Sequence, residues 1–597
     1  MYLFARTLLD IGYKRIFLRI RSEIRKKIDR KLFLKGKLFF SNFKEIDAIW
    51  NFDLLLFDSQ YEKTLYKNDF KSKQIAFTFL GEKRSFYIPL KWNNFGSSRL
   101  WQFNLHYFDW AKEWLEYRIE HNVWPEESSY LELLIDDWID NNEPGIGDGW
   151  HSYTLSLRIR NWIYLFRASP DLITKKRIKS LWMQICWLNT HQENSYGGNH
   201  LLENLITLAI ASLQFKGEYA FRIYSNSIRK LQKELKEQIL HDGGHFERSA
   251  GYHFLILGRL TDLAFILQKL SDQIPEWLLE SIIKMLEWAK KVILYGNSLP
   301  RFNDSSEDIC FSPEIIIEYS ESLLNNKEYN WKGLRKLIYN SKFKKRIENP
   351  NFKPNDLLID LSETGWTILK PGNEIELLFK CGIPCPNYLP GHAHSDQLSF
   401  DIFKSGEPII AETGTSIYQK SFERSFERSG AAHNVLQLGL VEGLNNINWI
   451  EPVEVWDEFR AARKSKPLYR KFGKTKDGSL WVQGEHDGYK KYGAFHKRFL
   501  KISKNEKGDF YLFLNDKVYV KKLMALRIWF HLGNKQEKKF LYPVIKELKE
   551  KHKLNFSWEQ TWYSKNFGQR IPRKSLCISG LINQGHHDFS LKLQLSK

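Results

Sequence analysis

Residues 390–403 read Pro-Gly-His-Ala-His-Ser-Asp-Gln-Leu-Ser-Phe-Asp-Ile-Phe. Proline and glycine mark a turn, two histidines and an aspartate follow, and Gln397–Phe403 has the make-up of a short strand. Residues two apart on an extended segment point the same way, so His392 and His394 are expected on one face. The hydrophobic period differs on the two sides of this stretch.

Around it and beyond, Leu377–Phe379, Leu398–Phe403, Pro408–Ala411, Phe495–Ile502, Phe510–Val520 and Leu526–His531 are short, β-branched and aromatic. Turns such as Lys404-Ser405-Gly406, Lys476-Asp477-Gly478 and Glu506-Lys507-Gly508 separate strands, the signature of an antiparallel sandwich. From about residue 100 to 345 the period is helical: Tyr130–Ile139, Leu155–Phe166, Ile178–Leu188, Leu201–Leu213, Ile228–Leu240 and Phe254–Leu270 carry apolar residues at spacings of three and four. Serial helical hairpins of this kind suggest an α/α toroid or solenoid. Helices followed by strands imply separate layers, not alternating α/β units. The boundary is expected at Asn349–Asp356, where Pro350 and Pro354 break any helix. The expected fold is α+β and multidomain: a basic segment and small extension over 1–95, an incomplete α/α toroid over 96–350 and an antiparallel β-sandwich over 355–597.

The 597 residues are 43% hydrophobic and carry a net charge of +20, so the chain can bury large cores and attracts polyanions, whether nucleic acid, anionic lipid or acidic polysaccharide. Aromatic residues reach 15%, which suits either large cores or a cleft that packs on sugar rings. Five cysteines are too few for a disulfide framework, and Cys381 and Cys385 have no second pair to complete a zinc site. No helix-turn-helix, zinc-finger or ribonucleoprotein motif supports a nucleic-acid partner. Arg6, Asp10 and Lys14 interrupt the first apolar stretches, so no signal peptide is legible. The expected location is cytoplasmic or envelope-associated, with the periplasm as alternative. Residues 1–37 hold twelve Lys/Arg against three Asp/Glu, and Ile16, Ile20, Ile24 and Ile28 recur beside Phe17 and Leu32. That is a basic amphipathic helix, expected to dock on the body of the protein and expose a solvated basic face, with peripheral contact to an anionic membrane as the alternative.

Two histidines and a carboxylate, His394, Glu412 and His433, match a zinc-type ligand set, with manganese or calcium as alternatives and a structural role. Gly391–Phe403, Pro408–Thr415, Arg428–Val435, His496-x-Arg498 and Asp516 resemble, in order and spacing, the C-terminal signature of the heparinase II/III family of polysaccharide lyases. Gly197-Gly198-Asn199-His200 is similar to that family's Asn-His motif, and Ala250-Gly251-Tyr252-His253 to its catalytic tyrosine segment. The resemblance spans roughly residues 100–535. One departure is Glu412, where the metal-binding members have aspartate.

The resemblance implies a toroid packed on a β-sandwich with a cleft between them, and β-elimination on a uronic-acid-containing acidic polysaccharide. Asn199 and His200 are then expected to face the uronate carboxylate, Tyr252 to act as acid and as base in a syn elimination, and His392 to be the alternative base. Arg158 and Trp162 share a helix face and are candidates to line a sugar subsite, against core packing. Arg301 follows a helix end and is a candidate to face the cleft from a loop, and Arg424 and Arg428 sit in the His433 segment as candidates for substrate carboxylates. Two readings compete: a glycoside hydrolase drawing on Asp304, Glu307 or Asp308, and a non-catalytic glycan-binding protein on the same scaffold. The sequence does not fix the oligomeric state.

Overall fold

A computed structural model describes residues 2–34, 49–54, 56–57, 74–93, 96–271, 273–294, 298–310, 312–325, 329–339, 358–372, 374–443, 446–533, 541 and 551–595. The expected boundary at Asn349–Asp356 lies outside these residues.

Two N-terminal helices, α1 (Tyr2–Ile11) and α2 (Tyr13–Leu34), precede a helical domain of α3 (Arg99–Tyr107), α4 (Asp109–His121), α5 (Leu131–Asn141), α6 (Ser152–Ala168), α7 (Lys175–Thr190), α8 (Gly198–Ser212), α9 (Glu218–Gln238), α10 (Ala250–Ser271) and α11 (Glu276–Val292). Helices α4, α6, α8 and α10 pack side by side as an inner layer, and α7, α9 and α11 lie outside them. This is the incomplete α/α toroid. Position in the two layers explains the sequence: α6 and α8 are buried on almost every side, whereas α9 buries only Ala220, Ile223, Leu231 and Leu235 among its apolar residues at helical spacing. Helix α10 is long and apolar enough to cross a membrane, but most of it is buried in the core of this domain.

The β domain holds three five-stranded antiparallel sheets. The first is a meander from Leu358–Leu361 to Glu407–Ile410. A bridge between Ile410 and Leu532 continues it into the second, whose central strand is Met524–His531. The third contains Leu480–His486, Ala494–Lys504 and Phe510–Val520, all with strict inside–outside alternation at their starts. One apolar core is shared by all three, through Leu377, Phe400, Leu500, Leu512, Leu526 and Ile578. Folding the sheets face to face is what makes the sandwich.

The N-terminal helix pair, joined at Gly12, corrects one expectation. Helix α2 docks on the body, but through its polar side. Asp29 is buried against His191 at 3.2 Å, and Arg15 donates to the Tyr196 carbonyl at 3.3 Å and stacks over Tyr388 at 3.7 Å. On α1, Asp10 pairs with Lys464 at 2.6 Å and Phe4 packs on Trp456. His191 and Tyr196 belong to the helical domain; Tyr388, Trp456 and Lys464 belong to the β domain. The two consecutive helices therefore strap the two domains together, while Phe17, Ile20, Ile24 and Ile28 are each at least half exposed.

Candidate active site

The site grows from Glu247, in the segment before α10. Helix α8 begins at Gly198 behind Gly197 in the left-handed region, so its first N–H groups lack helical partners. Glu247 supplies one: Oε1 accepts from the Asn199 backbone N–H at 2.9 Å and Oε2 accepts from Asn199 Nδ2 at 2.8 Å. A buried carboxylate at a helix N-terminus is electrostatically favourable. Burial alone would raise the pKa of Glu247, but His245, His392 and the two Asn199 bonds hold it below the ordinary value. Asn199 is thus clamped in the first turn, not at the cap. Its second Nδ2 hydrogen and its unpartnered Oδ1 are left for a ligand.

His200, next along α8, is partly open to solvent. Its Nδ1 lies 3.1 Å from Glu193 Oε1, and its ring stacks on Tyr153 at 4.3 Å between centroids. Burial opposes protonation of His200, but the Glu193 charge and hydrogen bond, with help from Glu247, outweigh it and raise its pKa. Glu193 is held down to about 2: burial works against ionisation, and His200 and His151 overcome it.

The β domain contributes the loop of residues 390–396, which is not a strand. His392 sits at φ 64°, a left-handed conformation that costs an ordinary residue about 1–2 kcal/mol. One residue, Asp304, holds it there: the Asp304 N–H donates to the His392 carbonyl at 3.0 Å, and Asp304 Oδ2 lies 3.1 Å from His392 Nδ1. His394 Nε2 reaches Oδ1 of the same carboxylate at 2.8 Å. The two histidines do converge, on a shared acceptor. Arg424 closes the cluster with a two-pronged contact to both Asp304 oxygens, at 2.5 and 2.9 Å. Burial would raise the Asp304 pKa, yet Arg424 and the two histidines drive it well below the ordinary value. An ionised carboxylate only accepts hydrogen bonds, so His392 donates to Asp304 from Nδ1, and in the neutral ring this tautomer leaves the lone pair on Nε2. That Nε2 lies 3.9 Å from Glu247 Oε2.

Tyr252, in the first turn of α10, completes the seam. Its ring is 4.5 Å from that of His392, and its hydroxyl is 2.8 Å from the Tyr418 hydroxyl. Burial raises both phenol pKa values well above 10, so both are neutral proton donors. Tyr418 also packs against Phe459 and Phe567, with centroids at 5.4 and 4.8 Å, and Phe459 is substantially exposed. Asn199, His200, Tyr252 and His392 thus come together around Glu247. Glu193, Glu247, Asp304 in its clamping role and Tyr418 carried no spacing pattern and were not predicted. A separate cavity of about 270 Å³, lined by Asn104, Asp109, Arg259, Asp308 and Tyr319, includes none of the four.

The five candidate substrate contacts are corrected. Arg158 is fully buried, bonded to Gln184 and to the carbonyls of His106 and Gly149, and stacked over Trp138 at 3.7 Å. Trp162 is fully buried against Phe108 and Trp138. Both lie in the body of α6, which is buried on all sides beyond Tyr153 in its first turn. Arg301 pairs with Glu307 and lies over Tyr563. Arg424 is committed to Asp304, and Arg428 to the carbonyls of Ala393, Asp457 and Phe459. The carboxylates of the hydrolase reading are equally engaged: Asp304 as above, Glu307 with Arg301 and Lys565, and Asp308 with the Phe567 N–H.

The proposed metal trio does not assemble as three donors. Both Glu412 oxygens are taken, one by the Ser399 hydroxyl and one by His433 Nδ1, while His394 turns to Asp304. Among the described residues no three His, Cys, Asp or Glu side chains are arranged to hold a metal ion. Two buried ring nitrogens, His394 Nδ1 and His433 Nε2, have no partner, on rings 5.4 Å apart.

Comparison with known proteins matches residues 62–331 to the family model described as heparinase II/III N-terminus and residues 353–586 to heparinase II/III-like, C-terminal. A heparin-sulfate lyase of Bacteroides stercoris is 21% identical over 353 residues, covering 55% of this chain and 49% of that protein. One from Bacteroides thetaiotaomicron is 21% identical over 361 residues, covering 52% and 48%. The chain spans about half the length of these curated relatives. Among solved structures, heparinase III superposes with a TM-score of 0.62 at 17% identity, over 85% of this chain and 79% of that one. Heparan sulfate lyase HepC from Pedobacter heparinus superposes with a TM-score of 0.50 at 16% identity, over 86% and 79%. With both of its domains matched in order, the chain belongs to the heparinase II/III family.

Proposed function

We propose that the chain is a polysaccharide lyase that cleaves a uronic-acid-containing glycan by β-elimination. The observation that carries this reading is the meeting of Asn199, His200, Tyr252 and His392 around Glu247. The relatives' names make heparan-sulfate-type glycosaminoglycans the first substrates to test.

The C5 proton of a uronate is acidic only when the neighbouring carboxylate charge is offset. The cationic ring of His200 and the free Nδ2 hydrogen of Asn199 offset it, most strongly as the charge of the aci-enolate develops. His392 Nε2, its ring oriented by Asp304, takes the C5 proton. The C–H electrons form the C4–C5 double bond and the C4–O4 bond breaks. Tyr252 gives its hydroxyl proton to O4, with Tyr418 as the neighbouring donor. The raised phenol pKa of Tyr252 favours this acid role over that of resting base. Hydrolysis is the poorer reading, because it needs two carboxylates free to reach the scissile bond, and Glu247 and Asp304 are both buried and bonded. A purified sample incubated with a panel of uronate glycans should generate an unsaturated product absorbing in the near ultraviolet. Cleavage without that chromophore would establish hydrolysis, and no cleavage of any panel member would leave a binding protein.

The His200–Glu193 pair gives a pH test. A raised histidine pKa means the cation is fully present below the unfolded value and lost as pH rises through the folded one. Activity should therefore fall on the alkaline side with His200 deprotonation. In Glu193→Gln the raising charge is removed, and this limb should move to lower pH in a kcat/KM profile. An unmoved limb would separate His200 from substrate charge.

A divalent ion, zinc first, is a further proposal, supported by the two unpartnered imidazole nitrogens. Each of these rings gives its other nitrogen to a carboxylate, as metal-bound histidines do. Bound there, zinc would tie the 390–396 loop to the His433 segment. Elemental analysis of protein purified without chelator should find it, and His394→Ala should lose it; absence from the wild type refutes the proposal.

A further inference from the structure

We infer that the N-terminal helix pair, α1 and α2, is a docking element for an anionic lipid surface. Tyr13, Phe17, Ile20, Ile24 and Ile28 are spaced by four, three, four and four, which keeps them on one face of α2, and all are at least half exposed. The stripe is roughly 22 Å long at 1.5 Å per residue. It points away from the body because the opposite face, with Arg15 and buried Asp29, makes the contacts to the two domains. An apolar stripe exposed while a charged face is docked inverts the usual arrangement of a surface helix.

The charges beside the stripe identify its partner. Helix α2 carries nine Lys/Arg against two Asp/Glu. Lys14, Arg21, Lys27 and Lys31 are exposed and flank or continue the apolar face. On α1, Arg6 and Leu9 are exposed as well, Leu9 by 81%. Apolar side chains rimmed by long cationic ones suit an interface where the rings and branches enter the acyl boundary and the amines reach lipid phosphates. A second protein copy would have to place these same cations opposite each other, and a polyanionic glycan would leave the stripe in water. Because these helices strap the two domains beside Tyr196 and Tyr388, the surface they bind would lie alongside the cleft.

The test uses the full chain with vesicles of phosphatidylcholine alone or with added phosphatidylglycerol. The wild type should sediment with the anionic vesicles at least about tenfold more tightly than with neutral ones, and salt should weaken the binding. A triple variant, Phe17→Ser, Ile20→Ser and Ile24→Ser, should lose at least about tenfold in that affinity. Its thermal midpoint and its behaviour in solution should change little, since these side chains lie on the exposed face of α2. Lys14→Gln with Lys27→Gln and Lys31→Gln should weaken anionic binding without affecting the fold. Equal binding to both vesicle types, no sedimentation of the wild type, or a wild-type dimer that the triple variant splits would each overturn the assignment.

Discussion

Tyr252→Phe should lower the rate of unsaturated-product formation about 100-fold or more, the usual scale for losing a proton-transfer group. The change deletes one oxygen. The ring keeps its contact with His392, so the thermal midpoint should stay close to that of the wild type. The Tyr418 hydroxyl then has no partner in Tyr252, and it is the nearest remaining donor. Two measurements separate the roles. If kcat falls with KM unchanged, Tyr252 acts on the reacting atoms; if only KM rises, it positions the glycan. Near-normal elimination by the variant would remove Tyr252 from the mechanism.

Arg424→Met should destabilise the protein by about 3–5 kcal/mol, because it leaves the Asp304 carboxylate buried without its cation. Asp304 and Arg424 are both essentially inaccessible to solvent. Activity should fall in the same variant, since His392 and His394 both take their orientation from Asp304. The expected readout is a lower unfolding midpoint in urea and a lower kcat. A variant of full stability with a raised KM alone would instead return Arg424 to the substrate-contact role that its sequence context suggested. Replacing both partners, Asp304→Asn with Arg424→Met, should recover part of the stability but none of the loop geometry.

The reading of the sequence succeeded where a short-range pattern carried the information. Helical spacing located α5 to α10 to within a few residues at most ends, and the PGHAHSD turn identified the β-domain loop that meets the cleft. It failed where the answer depended on which side of an element faces solvent. Arg158 and Trp162 share a helix face, but α6 is surrounded, so sharing a face says nothing about a cleft. Arg301, Arg424 and Arg428 are residue types that bind carboxylates; three-dimensional proximity gave them protein partners instead, Glu307, Asp304 and backbone carbonyls. Glu247 and Tyr418 lie in stretches with no distinctive spacing, and nothing short of the fold brings Glu247 under the first turn of α8. The N-terminal helix was legible as basic and amphipathic, yet the expectation of an apolar face turned inward reversed, because its docking partners, Tyr388, Tyr196 and His191, favour cations and carboxylates over hydrocarbon.

The seam between the domains also sets the order in which this protein can become functional. Tyr252 and Tyr418 stand 166 residues apart, and Asp304 and Arg424 stand 120 apart. The helices can form from local contacts, but pairs so distant in sequence close only after long stretches of chain have been ordered. During synthesis the helical domain leaves the ribosome first, and Asn199, His200 and Tyr252 emerge with no His392 or Tyr418 to meet them. Until the sandwich is made and docks, the nascent chain carries half a proton-transfer set. On the proposed mechanism, assembly of the two domains is therefore itself the activating step.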